Sequence, residues 1–304
     1  MLRVTVDIFS GRPNPTWIVT NDEKIERLRG ALVENPAAIS AAGEGYQGLG
    51  YRGVQLHFLD DDNEFKLPPQ FMIANDATEA SRSLRDVARG LLEGMTRDSK
   101  IPFPDHVLTP VDKRIQEYVL SRFDQFHRSP FKHQHVRVVP SRGIRVTVHD
   151  RNCDDCLYEE SRFNPGFWNN NAFVQTNNNC YNYARNWRTD TFAQPGRASG
   201  HWPNPMACGD VSAGAMSDGL KKRCDCLPKG EYPRRLVALV VDPGFDYHWY
   251  RKQKGGFWGH KPGQTAARKI DNSNVVITNP ETCDRGGYTD FCGYFYAGKS
   301  VQII

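Results

Sequence analysis

The chain has 304 residues, of which 39% are hydrophobic and 11% aromatic, and carries a net charge of only +4. That length is enough for two domains or one large one with a substantial core. The small charge calls for no polyanion, so nucleic acid is not the expected partner, and the longest apolar run, Leu236–Val241, is far too short to span a membrane.

From the N-terminus, Val4–Phe9 alternates like a strand, with no apolar signal region, so no secretory signal is visible. Ser10–Pro15 reads as a turn and Thr16–Thr20 as a second strand. Asn21 or Asp22 caps a helix to about Glu34, with Ile25, Leu28 and Leu32 at helical spacing. Gly53–Leu59 reads as a third strand. Thr78–Met95 and Val111–Phe126 read as amphipathic helices, the second using Ile115, Val119 and Phe123. Pro130–Pro140 is a connector or strand. Residues 1–140 are therefore expected to form an α+β domain that binds or targets.

Residues 141–304 have a different texture, holding all 8 cysteines and most of the tryptophans. Ile144–Val148 reads as a strand. Arg235–Val241, bounded by Pro233 and Pro243, reads as a strand buried on both faces. His248–Gln253 and Phe257–Lys261 flank Lys254-Gly255-Gly256, which signals a hairpin. Val275–Thr278 and Phe291–Ala297 are expected to complete the sheet.

The chemistry centres on Cys180, in Asn177-Asn178-Asn179-Cys180-Tyr181-Asn182-Tyr183-Ala184. Asn179 is a good N-cap residue, which places Cys180 in the first turn of a helix. The N–H groups and partial positive charge there favour a thiolate and would hold an oxyanion. His248 is the candidate base. A three-residue turn pairs Gln253 with Phe257 and sets Tyr250 opposite His260, so that His248 and His260 share a face as diagonal neighbours. A two-residue turn would put the rings on opposite faces. His260 would then orient His248, with Asp271 or Asn272 as alternatives. Gln175, Asn178 or Asn179 would supply further oxyanion donors. Trp168, Trp187, Trp202 and Trp258 would line a cleft, although core packing is the plainer reading of Trp187.

The segment from Asn179 to Ala184 resembles the cysteine motif of CHAP amidases, and the His248 to His260 spacing is similar to that of NlpC/P60 peptidases. Both are papain-like thiol hydrolases. The resemblance covers roughly residues 170–265 and implies a papain-like domain over 141–304, with Cys180 as nucleophile, His248 as base and His260 as third member. The implied reaction is cleavage of an amide in a peptide or in peptidoglycan. The chain departs from NlpC/P60 in having Asn179 before the cysteine, where Asp is usual, and Trp249 and Tyr250 after the histidine. Two other functions fit the same residues. One is a non-enzymatic binding module with a buried Cys180. The other is a secreted, disulfide-stabilised toxin or effector that uses the same thiol.

If Cys180 is free, seven cysteines remain and cannot all pair within the chain. A reduced compartment is then the simpler expectation, with the protein cytoplasmic or exported without a classical signal. Cys153, Cys156, Cys224 and Cys226 offer a four-thiolate zinc site, with His149 as an alternate ligand, as a rival to disulfides. No other cofactor is expected. His133 and His135 share a strand face without making a site. Gly43–Gly48 matches a dinucleotide-loop pattern but lacks the strand before it and the helix after it.

Overall fold

The computed structural model describes residues 1–41, 45–59, 67–73, 80–98, 109, 111–128, 145–153 and 156–304. It is a mixed α+β chain in two compact units. One comprises Met1–Ile8 and Pro13–His133, the other Phe9–Arg12 and Gln134–Ile304. No helix among the described residues is long and apolar enough to cross a membrane.

In the first unit β1 (Leu2–Asp7), β2 (Thr16–Val19), β3 (Ile39–Ser40), β4 (Gly53–Phe58) and β5 (Gln70–Ile73) form an antiparallel sheet in the order β2-β1-β4-β5-β3. Leu2, Val4 and Val6 alternate into its core. Helix α1 (Asp22–Glu34) starts where Asn21 accepts from the Lys24 N–H and buries Ile25, Leu28 and Leu32. Helix α3 (Lys113–Arg128) packs against α2 (Ala80–Asp98) and buries Ile115, Val119 and Phe123, the expected stripe, together with Tyr118 and Phe126. Asp7 is ion-paired to Arg52 at 2.6 Å, with both side chains wholly buried, and it also accepts from Asn14. This satisfies a charge that would otherwise be costly to enclose.

The second unit opens with the ribbon β6 (Val146–His149) and β7 (Leu157–Glu160). Three short helices follow: α4 (Gly166–Asn169), α5 (Ala172–Asn177) and α6 (Cys180–Arg185). Then come α7 (Cys208–Ser217) and a five-stranded antiparallel sheet in the order β11-β10-β9-β12-β8. Its strands are β8 (Lys221–Lys222), β9 (Arg235–Asp242), β10 (Asp246–Lys252), β11 (Trp258–His260) and β12 (Asp290–Ala297). Every residue of β9 is buried, as expected of a central strand. On one face Val237, Leu239, Val241, Tyr247 and Trp249 meet Tyr181 and Ala184 of α6 and Val211 and Ala215 of α7.

Two expectations fail here. Val275–Thr278 is not a strand but makes a single bridge, Ile270 to Val276. Val275 and Val276 are exposed, so their β-branched shape has no sheet to pack on. The zinc reading fails as well. Cys153 pairs with Cys224 and Cys156 with Cys226, so none of the four sulfurs is a thiolate free to ligate. A third disulfide joins Cys208 at the start of α7 to Cys292 at a bulge in β12. Only Cys180 and Cys283 are free, which removes the ground for expecting a reduced compartment. Pro130–Pro140, His133, His135 and the start of the Gly43–Gly48 pattern lie outside the described residues.

Alkylation of denatured, non-reduced protein is expected to label two thiols per chain by mass spectrometry. Replacing Cys208 and Cys292 together by alanine is expected to lower stability by about 2–4 kcal/mol in urea titrations, because the cross-link restricts the unfolded chain.

Candidate functional site

Cys180 is the first residue of α6, and the cap is as expected. The Asn179 side chain accepts from the Tyr181 and Asn182 N–H groups, and Asn182 returns a bond to the Asn179 N–H, closing a capping box. The hairpin register is the one that a three-residue turn requires. Tyr250 lies opposite His260, and the Gln253 N–H donates to Phe257 at 3.0 Å. Gly255 and Gly256 both adopt positive φ there, as such a turn demands.

The two imidazoles therefore meet, with His248 Nε2 2.9 Å from His260 Nδ1. The protons can be assigned from the partners. His260 Nε2 lies 2.9 Å from the Ile270 carbonyl, so it carries the hydrogen. Burial, and then Arg268, push His260 down to about 3, so the ring is neutral near pH 7 and its Nδ1 accepts from His248 Nε2. On a neutral His248 ring, Nδ1 is then the acceptor. It is occupied by the Ser10 hydroxyl at 2.5 Å, from a segment 238 residues away in sequence. Tyr250 stacks on His260 and meets His248 edge-on.

Ser10 is held from behind. The Asp246 carboxylate accepts from the N–H groups of Ser10 at 2.5 Å, Gly11 at 3.2 Å and Arg12 at 2.9 Å, and from the Tyr288 hydroxyl at 2.5 Å. The Gly11 carbonyl accepts from Asn179 Nδ2 at 2.8 Å, Gln194 Nε2 at 2.7 Å and the Tyr247 hydroxyl at 3.1 Å. A Cβ at Gly11 would stand 2.4 Å from the Tyr247 ring, so only glycine fits. Phe9–Arg12 is thus built into the second unit beside Cys180.

The thiol is not activated. Cys180, His248 and His260 are 0%, 0% and 1% exposed. The sulfur lies in the hydrocarbon cluster against α7 and β9, 3.9 Å from the Tyr247 carbonyl. Burial pushes the thiol well above its ordinary pKa and the nearby Asp246 charge adds to this. The Trp249 N–H, the Ser10 hydroxyl and Lys261 oppose the shift without reversing it. Burial of the sulfur therefore opposes the thiolate that the helix start favours. Desolvating an anion costs several kcal/mol, whereas a helix N-terminus returns about 0.3–2 kcal/mol, and α6 is only six residues long.

Of the proposed oxyanion donors, the side-chain amides of Asn178 and Asn179 are otherwise engaged. Asn179 Nδ2 serves Gly11 and Ala193. Asn178 Nδ2 serves Val174 and Asp190. Gln175 and Asn178 present their carbonyls to Lys261 Nζ, a buried ammonium that also donates to Gly263. Trp258 is buried against Tyr294, and Trp168 against Tyr183. Trp187 and Trp202 are exposed, so the core reading of Trp187 does not hold. Asp271 does not orient the histidines; its carboxylate accepts from the Ser273, Val275 and Asp284 N–H groups. Asn272 is a loop residue whose N–H donates to the Asp284 carbonyl, and the His260 ring holds the orienting position. Ser10, Asp246 and Tyr288 escaped the sequence reading. The pairing of Ser10 with His248 left no local signal, although Asp246 two residues before His248 marks the same strand face.

No family model matches the chain, and no solved structure matches it. Insoluble matrix shell protein 1 of Ruditapes philippinarum is 44% identical over 143 residues, which span 47% of this chain and 94% of that protein. The chain belongs to that protein's family. The relationship gives no support to an amidase or peptidase assignment.

Acid is expected to destabilise the fold in a way that His260 helps to set. Its folded value, about 3, lies below the ordinary 6.5, so below that pH the unfolded chain binds a proton that the folded one refuses. Stability is unaffected above pH 6.5 and falls towards pH 3, with a limiting slope of about 1.4 kcal/mol per pH unit from this group. His127, pushed down to about 4 by burial, adds to the slope. Urea midpoints measured from about pH 7 to 4 should show His260→Gln flatter than wild type by about one proton.

Proposed function

We propose that this chain is a disulfide-bonded matrix component, in which the cysteine and histidines of a papain-like arrangement serve as packed core and not as a working catalytic site. The observation that carries this reading is the closure of Cys180. Its sulfur is wholly buried, its thiol is held protonated, and the histidine nitrogen that would deprotonate it is occupied by Ser10. Three disulfides fit an oxidising, extracellular setting. The family relationship to a protein described as an insoluble matrix shell protein points the same way.

Thiol reactivity tests it. Cys283 is half-buried and its thiol is pushed up only to about 11, so it should alkylate slowly in the native protein, with Cys180 slower still. Peptide mapping after a timed iodoacetamide pulse should find Cys283 labelled first. Faster labelling of Cys180 would overturn the matrix reading.

One observation favours a second reading, a latent thiol hydrolase. The bonds from His248 to His260 and from His260 to the Ile270 carbonyl fix the tautomer and orientation that a catalytic histidine needs, with its Nδ1 turned to Ser10. In this reading, withdrawal of Phe9–Arg12 would free His248 Nδ1 for Cys180. The substrate would be a peptide or a peptidoglycan amide. Gly11→Val should displace the segment, because any side chain there strikes Tyr247. In the latent-enzyme reading, Gly11→Val gains amidase activity on peptide or peptidoglycan substrates that Cys180→Ser abolishes. In the matrix reading it only loses stability.

A further inference from the structure

Arginines converge on a second place in the same unit. A cavity of about 400 Å³ is lined by Arg145, Arg162, Arg235 and Arg251, with Ser161 and Asn164 beside them, and no carboxylate is among the described residues that line it. Its size is in the range of small-molecule sites. It is distinct from the closed Cys180 site, because none of Ser10, Cys180, His248 and His260 is among its lining residues.

Two of the arginines are buried. Arg251 is 3% exposed, donates from Nη1 to the Tyr183 carbonyl at 2.5 Å, and lies 4.3 Å over the Tyr183 ring. Arg235 is 7% exposed, and its Nε and Nη1 have no hydrogen-bond partner among the described residues. The nearby carboxylate of Glu159 is already taken by the Arg234 guanidinium at 2.9 Å and by the Arg234 N–H. Burial, and then repulsion from Arg251, Arg185 and Arg145, lower Arg235 to about 9. A buried guanidinium whose donors are unused costs stability. Guanidinium forks match tetrahedral oxyanions in charge and geometry.

We propose that this cavity binds a small molecule carrying a sulfate or phosphate group. The anion would take the unused Arg235 donors, with Arg162 closing from the exposed side, and the organic part would rest on Phe167, which also lines the cavity. The proposal stands apart from both readings of Cys180, since it uses none of those residues.

The test is calorimetric titration of the full chain with phenyl sulfate, phenyl phosphate, inorganic sulfate and inorganic phosphate, with phenol as the uncharged control. At least one of the anions is expected to bind, more weakly as salt rises, while phenol does not. Tighter binding of the esters identifies an esterified ligand, and equal binding identifies the free anion. Arg235→Gln is expected to weaken binding at least tenfold. Because a buried substitution can disturb folding, Arg162→Gln at the exposed rim provides an independent arm, with an expected loss of several-fold and an unchanged thermal midpoint without ligand. No binding of any of the four anions to wild type, or an unchanged affinity in Arg162→Gln, would overturn the proposal.

Discussion

The second unit is organised around one buried carboxylate. Asp246 is enclosed at the start of β10 and accepts from three consecutive N–H groups and a tyrosine hydroxyl. Burial raises its pKa, and bonds from the Tyr288 hydroxyl and from the Ser10, Arg12 and Tyr247 N–H groups oppose the rise. Such a cluster of N–H groups is a ready anion nest. Here the anion belongs to the protein, and it fastens the short segment Phe9–Arg12 to a strand more than 230 residues away. Once Gly11 lies on Tyr247, Ser10 has no position but beside His248. The state of the imidazole, and through it of the thiol, follows from this one bond set.

The same junction explains why features that normally activate a cysteine do not do so here. Cys180 has the helix start, the capping box and a nearby cation, all of which favour a thiolate. The cation is Lys261, whose ammonium is aimed at three carbonyls and whose effect on the thiol is the smallest of those that oppose the shift. Asp246 is the larger influence and has the opposite sign. With water excluded, the desolvation term exceeds the dipole term by several kcal/mol. A reactive thiol and a solvent-free core make opposite demands on one sulfur, and the packing of α6 on β9 and β10 meets the second.

What could be read in the sequence was local and periodic. Asn179 as a cap, the α1 and α3 stripes, the buried run of β9 and the pairing of Tyr250 with His260 each depend on residues within one or two turns or one hairpin. What could not be read depends on distant partners or on short elements. The pairing of four closely spaced cysteines looks the same as a metal site until the chain between them is folded. Helices α4 and α5 have four and six residues, too few for a periodic signal. Six of the ten residues of α7 are glycine, alanine or serine, which mark no strong apolar face. Val275 and Val276 misled in the other direction, because β-branched residues suit a strand only when a sheet is there to receive them.

The two ends of α6 show how the unit divides its polar groups. At the N-terminus the side-chain amides of Asn178 and Asn179 are both matched, and the region is closed. At the C-terminus Asn186 adopts the left-handed cap conformation and lines the arginine cavity, where donors outnumber acceptors. The partial negative charge of a helix C-terminus eases the concentration of cations there, although for so short a helix the effect is small. The three disulfides tie β12 and the β6–β7 ribbon in place around the apolar strand β9. A fold that pairs the amides at one end of a helix and leaves the Arg235 donors unused near the other has placed its capacity to bind an anion at the second end.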